Sequence, residues 1–126
     1  MIIYIGSSSV YSSGRGASIR LVDGPNSKEG RVELWRDGQW NTVCDDRWDT
    51  SDANVVCRSL GYSGASEAPC CARYGQGTGQ IILDNLGCSG YESSLYSCSH
   101  YGLYVLRSCS HSEDAGAICE FDLLRR

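Results

Sequence analysis

The chain has 126 residues, 41% hydrophobic and 21% charged, which is the size and make-up of one globular domain and too apolar for a disordered segment. Eleven basic against 15 acidic side chains leave a net charge of −4, arguing against a general nucleic-acid binder, and no apolar run approaches the ~18 residues of a transmembrane helix. Ten of the eleven basic residues are Arg and only Lys28 is Lys; guanidinium groups suit bidentate contacts to carboxylate, sulfate or phosphate, so local anion binding survives the negative total.

In chain order, residues 1–16 are rich in Ser and Gly, with no periodicity beyond a short Ile-Ile-Tyr-Ile. They lack the basic start and long apolar run of a secretory signal, so the expectation is a linker or cloning remnant; the tail 122–126 is equally bare. Ser18–Val22, Arg31–Trp35 and Trp40–Cys44 are strand-like runs. An Asp-Gly pair at 37–38 between the last two predicts a hairpin. Thr50, Ser51 and Asp52 are N-cap candidates for a helix over 51–60. Ala53, Val56, Cys57 and Leu60 form its apolar stripe, and Gly61 stands where a helix ends. The glycine-rich stretch that follows, with Cys70 and Cys71 adjacent, predicts a long functional or cross-linked loop. Ile81–Leu83 predicts a short buried strand, Glu92–Ser97 a single helical turn, and Ala115–Phe121 a closing strand.

Eight cysteines stand at 44, 57, 70, 71, 88, 98, 109 and 119. An even, dense set of this kind points to a secreted or extracellular domain stapled by disulfides. The alternative is a metal site from the repeated Ser-Cys-Ser-His at 97–100 and 108–111, which would offer Cys98, His100, Cys109 and His111 to zinc. Enzyme signatures fail: Gly75-Gln76-Gly77-Thr78-Gly79 is not followed by Gly-Lys-Ser/Thr, and no nucleophile-elbow motif occurs. The chain is expected to bind and not to catalyse.

Gly30-Arg31-Val32-Glu33, the run Trp40–Asp49 (WNTVCDDRWD), the run Asp52–Gly61 (DANVVCRSLG), Tyr74–Gly79 (YGQGTG), Leu83–Gly90 (LDNLGCSG) and Glu113-Asp114-Ala115-Gly116 occur in this order. Together they resemble the scavenger receptor cysteine-rich (SRCR) domain from about Ile19 to Glu120, giving a domain at 17–121. The resemblance implies a compact α+β fold, a curved β-sheet cradling one main α-helix, with long loops and disulfide staples. It implies the bridges Cys44–Cys109, Cys57–Cys119 and Cys88–Cys98. A further bridge of one subgroup is absent, because Ser27 and Tyr62 stand at its positions. Cys70 and Cys71 depart from the family pattern. Three readings stand for them: a vicinal bridge, pairing with another chain, or free thiols. Adjacent Cα atoms about 3.8 Å apart would strain a vicinal bridge, while effective concentration favours it.

For function, Asp45, Asp46 and Glu113 match a divalent-cation trio of the family, and the Cys44–Cys109 bridge would bring their segments together. Oxygen ligands suit weakly bound Ca²⁺ or Mg²⁺. A second family site uses the first aspartate, the Asp at Asp84 and an Asn where this chain has Ser108. Arg31, Arg36 and Arg47 are the candidate ligand-binding residues, with Arg58, Arg73 and Arg107 scattered elsewhere. The expected function is an extracellular scavenger or pattern-recognition module of innate-immunity type, binding anionic glycans, lipids, proteins or microbial surfaces with help from the cation. Two alternatives are a cation-independent adhesion or receptor-assembly module and an accessory domain of a larger protease. No organic cofactor is expected.

Overall fold

The computed structural model describes residues 9–12, 18–100 and 109–121. In chain order the elements are β1 (Ser9–Ser12), β2 (Ser18–Asp23), β3 (Glu29–Arg36), β4 (Gln39–Val43), helix α1 (Thr50–Ser59), β5 (Gly64–Glu67), β6 (Ile81–Leu83) and β7 (Gly116–Glu120), with 3₁₀ turns at Leu95–Ser97 and His111–Glu113. All seven strands join one sheet. This is the expected α+β architecture, a curled sheet around one helix.

Strand β3 is the hub. Along one edge it pairs antiparallel with β2 from Gly30 to Trp35; along the other its first half pairs with β7 and its second half with β4. Two partners diverging from one strand make the sheet curl. The β3–β4 hairpin turns through Asp37 and Gly38, both left-handed with φ of 54° and 80°, the conformation a two-residue type I′ turn requires. Strand β6 joins β4 in parallel and β5 joins β7 antiparallel. At the sheet's outer edge, Ser9–Ser12 of β1 pair antiparallel with β2.

Helix α1 begins one residue earlier than its predicted cap. Asp49 is the N-cap: its side chain accepts from the Asp52 amide, and the Asp52 carboxylate accepts from the Asp49 amide, a reciprocal capping box. Gly61, with φ of 97°, follows the last turn as expected. Ala53, Val56 and Cys57 are fully buried, joined by Val55, and pack with Leu21, Val32, Leu34, Val43, Ile82, Leu83 and Leu95 in one core.

All eight cysteines are bridged, as Cys44–Cys109, Cys57–Cys119, Cys88–Cys98 and the adjacent pair Cys70–Cys71. The vicinal reading holds, and the zinc alternative falls because Cys98 and Cys109 are consumed by bridges.

Asp52 also accepts from the Cys88 amide at 3.1 Å, tying α1 to the Cys88 loop. Burial outweighs these amide donors and pushes its carboxyl up to about 6. A raised acid titrates against the fold as it ionises: its contribution is complete below the unfolded value of about 4 and is lost as pH rises through about 6. The melting temperature of Asp52→Asn should therefore fall less than the parent's across that window, and parallel curves would contradict this.

Candidate functional site

The acidic cluster is assembled by backbone before side chains enter. Cys44 leaves β4 with its amide donating to the Leu83 carbonyl at 2.9 Å and pairs with Asp114 in an isolated bridge. The Asp45 amide then donates to the Glu113 carbonyl at 2.8 Å, and the Trp48 amide closes a turn onto the Asp45 carbonyl at 3.0 Å. Within that turn Arg47 is left-handed, with φ of 61°. The Cys44–Cys109 bridge fastens the same two segments covalently.

This frame brings one carboxylate oxygen each of Asp45, Asp46 and Glu113 within 4.8 Å of one another. Among the described residues, no Arg or Lys forms an ion pair with any of the three. Two of the carboxylates are oriented by amides: Asp45 Oδ2 accepts from the Cys71 N–H at 2.8 Å, and Glu113 Oε1 accepts from the Ser110 N–H at 3.0 Å. Partial burial, then the neighbouring charges of Glu113, Asp45 and Asp84, hold the Asp46 carboxyl above the ordinary aspartate range. Like charges held together this way favour a hard cation among their oxygens. Cys44 adjoins the cluster, but its sulfur is spent in a disulfide and is no ligand. Asp84 is buried and stands with Asp46. Ser108 lies outside the described residues, as does Arg107.

The arginines separate sharply. Arg31 is buried, its guanidinium held by Glu33 at 2.8 Å, by Asp23 at 2.9 Å and by the carbonyls of Tyr74 and Gly75. It is an internal strut. Arg36 lies over the Tyr96 ring and Arg58 over Tyr91. Arg47 is exposed beside Asp46, so it alone of the predicted ligand-binding arginines adjoins the acidic cluster in the chain.

One contributor was out of reach of sequence reading. The Cys71 amide that orients Asp45 belongs to a turn in which Cys71 and Ala72 are both left-handed, and the adjacent cysteines signal the turn but not its contact. As its place two residues before Glu113 suggests, His111 anchors the Glu113 turn, by Nδ1 against Asp114 and Nε2 against the Gly79 carbonyl at 2.8 Å. The Gly75–Gly79 run packs against the sheet. A Cβ at Gly77 would meet Thr42 Cγ2 at 2.5 Å, and one at Gly79 would collide with the Trp40 carbonyl, so the glycines let this loop lie flat on the sheet.

The sequence profile of the scavenger receptor cysteine-rich domain matches residues 22–120. The chain belongs to the SRCR domain family. It is 49% identical to the third SRCR domain of murine neurotrypsin, covering 84% of this chain and 98% of that one, with a TM-score of 0.75. The SRCR domain of mouse MARCO, solved in a dimeric form, is 46% identical over 73% of this chain and 86% of that one, with a TM-score of 0.66. A scavenger receptor cysteine-rich domain superfamily protein of Patiria pectinifera is 48% identical over 101 residues, which are 80% of this chain and 9% of that protein. SRCR domains are extracellular, non-catalytic modules that bind ligands in receptors. Among the described residues no helix is long and apolar enough to cross a membrane.

Proposed function

We propose that this SRCR module is an extracellular recognition domain of scavenger or pattern-recognition type, binding anionic ligands, those on microbial surfaces included, with the help of a divalent cation. The observation that carries this reading is the meeting of the Asp45, Asp46 and Glu113 oxygens within 4.8 Å, with no ion pair to Arg or Lys among the described residues.

These three carboxylates would hold Ca²⁺ or Mg²⁺, with Asp84 behind Asp46. A bound cation supplies positive charge that offsets their repulsion and an electrophilic face for a ligand oxygen. The chain's own part is orientation. The Cys71 and Ser110 amides aim Asp45 and Glu113, and the exposed Arg47, next to Asp46 in the chain, would take a sulfate, phosphate or carboxylate oxygen. Few carboxylates converge, which suits the weak range of extracellular calcium modules, with Kd of roughly 10⁻⁴–10⁻³ M.

The test is binding to immobilised dextran sulfate, measured with Ca²⁺ and with a chelator over a salt series. Chelator should remove most of the binding. Added salt should weaken the rest, because exposed charge contacts are screened over about 8 Å at physiological ionic strength. Binding unchanged by chelator would instead favour the cation-independent adhesion reading.

A further inference from the structure

On the outer side of α1, a cleft of about 160 Å³ lies between the helix, β5 and the turn at residues 89–92. Asn54 and Arg58 line it from the helix, Ser63 and Gly64 from the start of β5, Glu120 from the end of β7, and Tyr91 from the turn. None of these residues belongs to the acidic cluster.

The cleft is built, not incidental. The Asn54 side-chain oxygen accepts from the Ala65 backbone N–H at 2.8 Å, which fixes the Asn54 side chain in the cleft wall. A Cβ at Gly64 would stand 2.5 Å from the same oxygen, so a side chain there would push Asn54 off this hydrogen bond. Tyr91 is 76% exposed, yet its backbone is fixed: Gly90 before it has φ of 107°, and the Glu92 carboxylate accepts from the amides of both Ser89 and Gly90. Those amides pull the Glu92 carboxyl down to about 2, so the clamp is charged at any ordinary pH. A rigid turn thus presents a large aromatic ring to solvent with the Arg58 guanidinium 5.4 Å from its centre. Ordered exposed aromatics are typical binding anchors.

The polar groups decide the chemistry. Arg58 and Glu120 line one small cleft without an ion pair between them among the described residues, so one positive and one negative charge cancel. Donors come from Asn54 and Arg58, an acceptor from Glu120, and a hydroxyl from Tyr91. Adjacent hydroxyls of a sugar each donate and accept, and the C–H face of a pyranose packs on an aromatic ring. Ligand pockets for drug-sized molecules run to roughly 300–1,000 Å³, so this cleft takes one ring. We propose that it is a subsite for a single uncharged hexopyranose, independent of the divalent cation.

The experiment is amide-resolved NMR titration of the ¹⁵N-labelled chain in chelator with methyl β-galactoside, methyl α-mannoside and methyl β-N-acetylglucosaminide, up to tens of millimolar, with sodium sulfate as a parallel arm. At least one glycoside should shift the amides of Arg58, Ser63, Gly64 and Tyr91 and saturate in the millimolar range. Tyr91→Ala and Glu120→Gln, both at exposed positions, should each weaken it by about tenfold, equivalent to about 1.4 kcal/mol. The proposal is overturned if no glycoside shifts these amides, if sulfate shifts them at lower concentration than any glycoside, or if both variants bind like the parent.

Discussion

Replacing Cys57 by Ser should cost about 2–5 kcal/mol of stability, the usual range for a native bridge in a small secreted domain. The Cys57–Cys119 bridge pins α1 to β7 across the core, both residues are buried, and it spans 62 positions of sequence. In the chain-entropy model a loop that long lies between the ~3 kcal/mol of a 15-residue loop and the ~4.7 kcal/mol of a 100-residue one. A serine hydroxyl left in that apolar setting adds to the loss. At about 4 °C per kcal/mol, between the figures for smaller and larger domains, the melting temperature should drop by roughly 10 °C or more. A variant melting within a degree or two of the parent would show that the bridge does not anchor the helix. Replacing Cys70 and Cys71 together should be far milder, because bridging neighbours separated by one position removes almost no unfolded-chain entropy.

The second large effect is expected from Asp46→Ala. Without a divalent cation the substitution removes one of several crowded carboxylates, so the melting temperature should stay level or rise slightly. With Ca²⁺ at ten to a hundred times its dissociation constant, the parent should gain about 1.4–2.7 kcal/mol by mass action, and the variant should gain little. Dextran sulfate binding by Asp46→Ala should resemble that of the parent in chelator. Acid should act in the same direction, since a protonated carboxyl no longer attracts the cation. Because Asp46 titrates above the ordinary aspartate range, the loss should begin at a higher pH than a lone aspartate would give.

What sequence could reach was set by how local the determinants are. The stripe Ala53, Val56, Cys57 located α1, and Asp37-Gly38 located the β3–β4 hairpin, because both depend on contacts within a few residues. Strand β5 escaped notice. Gly-Ala-Ser-Glu has no strand propensity of its own, and pairing with β7 holds it in place. The parallel β4–β6 pairing joins segments with no hairpin between them and leaves no local signature. Arg31 misleads for a related reason: alternation along β3 puts Arg31 and Glu33 on the face opposite the core, and sequence cannot show that the loop carrying Tyr74 and Gly75 covers that face and binds the guanidinium. At the acidic cluster the three main carboxylates came from the family pattern and the Cys44–Cys109 bridge. The Cys71 amide on Asp45, 26 positions away, and the placement of Asp84 beside Asp46 depend on long-range packing that no motif records.

The most direct test of the cation reading is calorimetric titration of the intact chain with CaCl₂, alongside Asp46→Ala under the same conditions. The parent should give a saturable heat for cation binding with a dissociation constant of roughly 10⁻⁴–10⁻³ M, and the variant none. No heat and no thermal shift for the parent at millimolar Ca²⁺, with dextran sulfate binding intact in chelator, would contradict it.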